Sequence, residues 1–138
     1  MSVVVDANVL MATASSTSVG EAARERLTRW RVDGEDLHVP NLFIYEVANA
    51  IAGLEALGEL SPQGSDALWT WIDALDLTSH PPCAGRALTA IAHRLQRRSA
   101  CDAAYVDVAL QIDAELWTLD GKLARNASSI GLPVLLLI

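Results

Sequence analysis

Short apolar runs without alternating polar residues recur along this chain of 138 residues, and stretches with helical spacing separate them. Uninterrupted apolar runs are typical of strands that are buried on both faces. Strands that alternate with helices indicate a parallel sheet covered by helices on each side. We therefore expect an α/β fold, and the length favours a single domain over residues 1–138.

The apolar runs predict five strands, and the stretches between them predict helices. The expected strands are Val3–Val5, Leu37–Val39, Leu75–Thr78, Leu116–Leu119 and Val134–Ile138. The expected helices are Val19–Val32, Pro40–Leu57, one that begins at Ser61-Pro62, Ala84–Arg97, Asp102–Ile112 and Gly121–Ala127, with a short helix or loop over Asn8–Ala14. Proline in a first turn and glycine just past a last turn are the signals used for the long helix Pro40–Leu57.

Two carboxylates directly follow predicted strands. Asp6 ends the first apolar run and Asp120 ends the fourth. In open parallel sheets, sites form at the carboxyl ends of strands. Ordinary structural roles stay open for both residues, because Asp is a common helix N-cap and Asp-Gly is a common turn dipeptide.

A third acid, Glu46, lies inside the longest predicted helix. Its neighbours three and four residues away are mostly apolar: Leu42, Phe43, Asn49 and Ala50. We therefore expect Glu46 to face the interior. A buried carboxylate without a partner is costly, so a proton, a cation or a metal must compensate it.

The fourth acid, Asp102, opens a predicted helix and heads a stripe that continues through Tyr105, Val106 and Ala109. Asp102 therefore points toward the core, although a role as helix cap is also open. Asp107 falls on another face of the same helix, and we expect it to lie in solvent.

Convergence of Asp6, Glu46, Asp102 and Asp120 would create a site for a divalent cation. Two such charges about 5 Å apart repel by about 3 kcal/mol at an effective dielectric constant near 20. Mg²⁺ and Mn²⁺ prefer oxygen ligands, whereas His38, His80 and His93 lack the paired spacing of a zinc site. A metal-activated water at such a site can attack a phosphodiester. Asn8 and Thr118, each two residues from an acid, can orient the carboxylates or be plain structure.

Net charge limits the possible partners. A formal charge of −7 makes general binding to nucleic acid unfavourable. Basic residues nevertheless flank the acids in sequence, and the candidates for contact with a phosphate backbone are Arg94, Arg97, Arg98 and Lys122. The alternative is that they lie on solvated helix faces.

Location is inferred from what the chain lacks. No apolar run approaches the roughly 20 residues that span a bilayer. The N-terminus has no basic segment, and Asp6 interrupts its apolar run. We therefore expect a cytoplasmic protein with no membrane partner.

Four stretches in order resemble the PIN-domain family, and most closely its VapC-type toxin ribonucleases. These are Val4–Leu10, Leu42–Ala50, Cys101–Leu110 and Leu116–Leu123. The resemblance implies a three-layer α/β/α sandwich with a five-stranded parallel sheet. It also implies a Mg²⁺- or Mn²⁺-dependent endoribonuclease, the toxin of a toxin–antitoxin pair, that forms a homodimer and is silenced by a cognate antitoxin.

The resemblance assigns roles to particular residues. Asp6 and Asp102 match the principal metal ligands of the family, and Glu46 and Asp120 complete its acidic site. Asn8 and Thr118 match supporting polar positions. Asp107 departs from the pattern, because the family usually has a small apolar residue there.

Two other functions are compatible with parts of the sequence. Asp6-Ala7-Asn8 partly matches the Asp-x-Asp of haloacid-dehalogenase-like phosphatases, although that family needs an acid where Asn8 stands. A binding module could also use an acidic groove only to hold a basic peptide, without catalysis.

Overall fold

The computed structural model describes residues 1–138. Five strands are formed: β1 (Ser2–Val5), β2 (Asp36–Pro40), β3 (Thr78–His80), β4 (Glu115–Thr118) and β5 (Val134–Leu136). Seven helices connect them: α1 (Ala7–Ala12), α2 (Ser18–Val32), α3 (Leu42–Ala56), α4 (Pro62–Ala74), α5 (Gly85–Arg94), α6 (Cys101–Gln111) and α7 (Gly121–Ser129).

All strand pairs in the single sheet are parallel. The order is β3-β2-β1-β4-β5, so β1 lies at the centre. Val4 of β1 pairs with His38 of β2 on one side and with Leu116 of β4 on the other. The first strand of the chain therefore has a neighbour on each edge and is shielded from solvent.

The helices cover both faces of the sheet. From β1 the chain moves outward through β2 to β3, then returns across the sheet to β4 and continues to β5. Because parallel crossovers are right-handed, the two directions place α1–α4 on one face and α5–α7 on the other. Helix α6 packs across β1, β2 and β4. The predicted three-layer α/β/α fold with a five-stranded parallel sheet is confirmed.

The direction of the connections reverses between β1 and β4. These strands are hydrogen-bonded neighbours, yet the chain leaves β1 toward one side and β4 toward the other. Such a reversal opens a crevice at the carboxyl ends of the two strands, where ligands bind in open α/β sheets. Asp6 and Asp120 follow directly on β1 and β4.

The core is aliphatic and lies on both sides of the central strands. Its fully buried side chains include Val4, Val5, Leu10, Leu27, Leu95, Leu116 and Leu123. The β-branched residues of β1 suit a strand that is covered on both faces. None of the helices has the length and apolar character needed to cross a membrane.

Some predicted boundaries were wrong. Pro40 is the last residue of β2, paired with His80 of β3, and not part of the first turn of a helix. The third strand begins at Thr78 and not at Leu75, because Leu75 caps α4 and Asp76 has a φ of 52°. The helix expected to reach Arg97 ends at Arg94.

Candidate active site

Asp6 lies between β1 and α1, at the carboxyl end of the central strand of the sheet. Its backbone N–H donates to the carbonyl of Trp117 at 3.0 Å, which continues the β1–β4 ladder. Its side chain caps α1, since Oδ1 accepts a bond of 3.4 Å from the backbone N–H of Asn8. Asp6 therefore does cap α1, but the cap uses only Oδ1. The other carboxylate oxygen, Oδ2, contacts Thr118.

The Thr118 hydroxyl connects the ends of β1 and β4. It donates to Asp6 Oδ2 at 2.8 Å and is fully buried. The Thr118 hydroxyl oxygen also accepts hydrogen bonds, from Asn8 Nδ2 at 3.1 Å and from the backbone N–H of Asp120 at 3.0 Å. Asn8 Oδ1 in turn accepts from the backbone N–H of Leu119 at 3.1 Å. Asn8 and Thr118 thus fix both strand-end acids relative to each other.

The Asp6 carboxyl is poorly solvated, being only 8% exposed. Burial raises its pKa to about 6, and the negative charges of Asp102 and Glu46 act in the same direction. Hydrogen bonds from Thr118 and Asn8 oppose the increase. A buried acid with other carboxylates nearby is a place where a cation is stabilised.

Glu46 lies on α3 and is held by Tyr105 of α6. The Tyr105 hydroxyl donates to Glu46 Oε1 at 2.6 Å. Burial and this bond to a carboxylate raise the pKa of Tyr105 well above its ordinary value. The contact joins helices from opposite faces of the sheet over the edge where β1 ends.

The helical face predicted for Glu46 was wrong in part. The buried stripe of α3 consists of Phe43, Val47 and Ile51, and Glu46 lies at its margin, half-buried. Leu57, the C-cap of α3 and three turns beyond Glu46 on the same side of the helix, is 73% exposed. Glu46 is therefore partly solvated and carries a single strong hydrogen bond, and it is not enclosed in the core.

Asp102 and Asp120 are linked through a cation of the same chain. Arg97 Nη2 donates to Asp120 Oδ2 at 2.7 Å, and Arg97 Nε lies 3.2 Å from Asp102 Oδ2. The Asp120 Oδ1 atom is occupied as well, because it caps α7 by accepting from the backbone N–H groups of Lys122 and Leu123.

The two linked acids have opposite pKa shifts. For Asp102, burial raises the pKa more than the Arg97 guanidinium lowers it, and the charge of Asp120 adds to the increase. For Asp120, burial would raise the pKa, but hydrogen bonds from the Leu123 and Lys122 backbone and from Arg97 outweigh it and lower the pKa. The charged form of Asp102 is therefore less stabilised by its surroundings than that of Asp120.

The four predicted acids gather at one edge of the sheet without forming a closed cage. Asp6 is within electrostatic reach of Asp102 and Glu46, and Asp102 is within reach of Asp120. No three carboxylates come close enough to one another to hold a metal ion in this conformation. The guanidinium of Arg97 lies between Asp102 and Asp120 instead.

The candidate RNA contacts divide into two groups. Arg94, Arg98 and Lys122 have exposed side chains and no ion pair. Arg97 is only 20% exposed and lies among the acids. The sequence placed all four near the acids but did not distinguish Arg97 from the others.

The prediction that Asp107 lies in solvent was wrong. The residue is 5% exposed. Its Oδ2 accepts from the backbone N–H of Cys83 at 3.1 Å and from Gln111 Nε2 at 2.8 Å. Asp107 therefore ties α6 to the loop before α5, and its contacts are structural.

Two histidines that are far apart in sequence meet in the sheet. His38 Nδ1 and His80 Nε2 are 2.8 Å apart, because β2 and β3 are parallel neighbours. Sequence spacing gave no sign of this pair. The two rings hydrogen-bond to each other, and no third ligand accompanies them, so they do not make a zinc site.

Solved structures with the same fold include proteins from an archaeon and a bacterium. PAE2754 from Pyrobaculum aerophilum has a TM-score of 0.70 and 21% identity, over 91% of this chain and 79% of that one. FitAcB from Neisseria gonorrhoeae has a TM-score of 0.62 and 16% identity, over 96% of this chain and 95% of that one. At such identities the likeness establishes the fold alone.

Sequence comparison gives the family. No curated protein matches the chain significantly. The sequence model of the PIN domain matches residues 3–128, which takes in β1, the acids of α3 and α6, and the turn after β4. With this match over most of its length, the chain belongs to the PIN-domain family, whose members are typically metal-dependent nucleases.

Proposed function

We propose that this protein is a Mg²⁺- or Mn²⁺-dependent endoribonuclease that acts in the cytoplasm as the VapC-type toxin of a toxin–antitoxin pair. One observation carries the catalytic part of the proposal. At the crevice between β1 and β4, the buried Asp6 lies within electrostatic reach of Asp102 and Glu46. Membership of a family of metal-dependent nucleases supports it, as does the resemblance of the four motifs to toxin ribonucleases.

The residues at this edge fit a hard divalent cation. The four candidate acids offer carboxylate oxygen, and the family generally uses divalent metals. We assign Asp6 and Asp102 as the principal ligands, with Glu46 and Asp120 completing the site directly or through water. A bound Mg²⁺ or Mn²⁺ supplies an activated water and neutralises charge on the phosphodiester.

The other polar residues of the site prepare these acids. Thr118 directs Asp6 Oδ2, and Asn8 fixes Thr118 to the start of α1. Tyr105 holds Glu46 from the opposite helical layer. Preorganisation of this kind matters because ligands that are already positioned do not have to be ordered when the cation and RNA bind.

RNA reaches an acidic surface only with local help from cations. Exposed charges lie near the acids in sequence: Arg94 and Arg98 precede Asp102, and Lys122 follows Asp120. We assign them to contacts with the RNA backbone, where a guanidinium or an ammonium can pair with phosphate. The overall charge of −7 limits binding elsewhere on the surface.

The partner proteins in this proposal are a cognate antitoxin and a second copy of the chain. An acidic surface attracts a basic partner segment, which increases the rate of encounter. The homodimer and the antitoxin rest on the resemblance of the motifs. Size-exclusion chromatography with light scattering tests the dimer directly.

The catalytic proposal is tested with total cellular RNA and antitoxin-free protein. Discrete fragments are expected with Mg²⁺ or Mn²⁺, and none with EDTA. Asp6→Asn should abolish cleavage and keep the fold, as judged by circular dichroism. Asp66→Asn, which changes an exposed acid on α4, is the matched control and should cleave normally.

Three outcomes would contradict the proposal, and each points to a different conclusion. Wild-type activity in Asp6→Asn would remove the acid assignment. Turnover of a chromogenic phosphomonoester without RNA cleavage would favour a phosphatase. Intact RNA together with partner binding that survives EDTA would favour a non-catalytic binding module.

The toxin role has its own test. Induced expression of the wild-type chain should arrest growth, and expression of Asp6→Asn should not. Growth arrest that persists in Asp6→Asn at equal protein level would show that toxicity does not depend on the acidic site.

A further inference from the structure

We propose that Arg97 is an internal cation of the acidic site: it neutralises Asp102 and Asp120 in the metal-free protein, and a divalent ion must displace it to bind. The inference rests on the proposed function. It adds that Arg97 lowers the affinity of this site for a divalent ion. It follows from which atoms Arg97 contacts, how its backbone is held and how the acids are otherwise occupied.

Arg97 contacts one carboxylate oxygen on each of two proposed metal ligands, Asp102 and Asp120. Asp120 Oδ1 already accepts two backbone N–H groups at the start of α7, each at 3.0 Å. Its remaining atom, Oδ2, accepts from Arg97 Nη2 at 2.7 Å. Both carboxylate oxygens of Asp120 are therefore engaged by donors of this chain while Arg97 is in place. On Asp102 the guanidinium lies against Oδ2 at 3.2 Å.

The backbone aims Arg97 at the acids. Helix α5 ends at Arg94 with Leu95 as its C-cap, and Gln96 adopts a left-handed conformation with a φ of 57°. The N–H of Gln96 donates to the carbonyl of His93, and the N–H of Arg97 donates to the carbonyl of Ala92, each at 3.0 Å. This is the Schellman pattern of a helix C-terminus. It fixes the Cα of Arg97 just outside the helix, so its side chain turns back toward α6 and α7.

Only one of the two links of the guanidinium, that to Asp120, is a well-formed hydrogen bond. Arg97 Nε is buried and has no partner that meets hydrogen-bond geometry, although it is 3.2 Å from Asp102 Oδ2. One of the two links is therefore an ion pair without a well-aligned hydrogen bond. A divalent ion carries twice the charge and can replace both links, whereas the long arginine side chain can move into solvent.

Competition between two ligands for the same site has a measurable consequence. If Arg97 must leave before Mn²⁺ binds, removing the guanidinium should increase the affinity for Mn²⁺. Coupling free energies between two interacting binding groups typically correspond to about 5- to 150-fold in affinity. We therefore expect Arg97→Gln to bind Mn²⁺ at least about fivefold more tightly than the wild-type protein, in calorimetric titrations of the metal-free chain.

Arg98→Gln is the matched control. Arg98 is the adjacent residue, is exposed and forms no ion pair, and its substitution changes the net charge by the same amount. Any gain in affinity from the added negative charge alone will appear in Arg98→Gln too. The expected result is a larger gain for Arg97→Gln than for Arg98→Gln.

A second measurement does not depend on metal binding by the wild type. In EDTA, Arg97→Gln should melt at a lower temperature than Arg98→Gln, because Asp102 and Asp120 lose their counter-ion. Added Mn²⁺ should raise the melting temperature of Arg97→Gln by more than that of Arg98→Gln. If Arg97→Gln does not fold in EDTA, Arg97→Lys provides the same comparison, because an ammonium cannot bridge both acids as a guanidinium does.

The outcomes separate this inference from the proposed function. Equal Mn²⁺ affinity in Arg97→Gln and Arg98→Gln, or weaker binding in Arg97→Gln, would overturn the displacement of Arg97 and leave the metal site standing. No Mn²⁺ binding by the wild type, Arg97→Gln or Arg98→Gln would overturn the metal site itself, and the inference with it.

Discussion

The Thr118 hydroxyl donates a 2.8 Å hydrogen bond to Asp6 Oδ2 and thereby joins the ends of two neighbouring strands. A hydroxyl has one hydrogen and two acceptor lone pairs, and Thr118 uses all three, because Asn8 Nδ2 and the Asp120 N–H donate to it. A buried side chain with its full complement of bonds fixes the group it contacts. The position of Asp6 is therefore set from β4 as well as from β1.

Thr118→Val should destabilise the metal-free protein. Valine has nearly the same shape, but it leaves two donors without an acceptor and Asp6 Oδ2 without a donor. Each unsatisfied buried group costs about 1–3 kcal/mol, so we expect a loss of at least about 2 kcal/mol. Urea unfolding in EDTA measures it. Thr118→Ser keeps the hydroxyl and should lose much less; equal losses in the two variants would show that the network contributes nothing.

Asp6 should make the stability of the metal-free protein depend on pH. Its pKa is raised in the folded state to about 6. Between about pH 4 and pH 6 the folded state therefore binds more protons than the unfolded state, so the free energy of unfolding falls as pH rises. The contribution is about 3 kcal/mol and is complete near pH 7.

The test compares the wild type with Asp6→Asn in EDTA across this range. The variant cannot ionise at position 6, so its stability relative to the wild type should increase from pH 4 to pH 7 and then level off. Taking the difference between the two proteins removes the titration of the other acids. A difference that stays constant over the whole range would contradict the raised pKa.

The general location of the site was predictable from the sequence, because the apolar runs show where the strands end. Val3, Val4 and Val5 form an uninterrupted β-branched run, and an acid at its end must lie at the edge of a parallel sheet. Asp120 follows the same logic at the end of β4. Since β1 and β4 are neighbours, the two predictions meet at one crevice.

Other features depended on contacts that local patterns do not encode. The end of α5 was placed at Arg97, and no glycine at position 96 announced the left-handed turn that Gln96 makes. That turn is what brings Arg97 among the acids. Asp107 was assigned to solvent because it falls on a different helical face from the stripe that Asp102 heads, whereas the backbone N–H of Cys83, 24 residues earlier, gives it a buried partner.

Tyr105→Phe should lower the free energy of unfolding at neutral pH. It should also remove the loss of stability that the wild type shows at alkaline pH. The hydroxyl bond to Glu46 is lost, at a cost of about 1 kcal/mol. In the wild type, however, burial raises the pKa of Tyr105, so the folded state retains a proton that the unfolded state releases above about pH 10. Wild-type stability should therefore fall in that range, and the gap to the variant should narrow.

Chemical unfolding at pH 7 and at several values above pH 10 measures this change. Tyr45→Phe is the control, because Tyr45 is the other of the two tyrosines and is 73% exposed. A gap between wild type and Tyr105→Phe that does not change with pH would contradict the burial of the phenol.

Asp107→Ala tests whether a fifth acid belongs to the site or to the scaffold. Its contacts are the Cys83 N–H and the Gln111 amide, and neither leads to the crevice. The substitution leaves a backbone donor without its partner, and we expect a loss of about 1–3 kcal/mol in urea unfolding. Asp73→Ala, which removes an exposed acid from α4, should change stability by less than about 0.5 kcal/mol. Mn²⁺ affinity should be the same in both variants and in the wild type. If Asp107→Ala instead weakens Mn²⁺ binding as Asp6→Asn does, Asp107 acts on the metal site, and its burial serves that site as well as the fold.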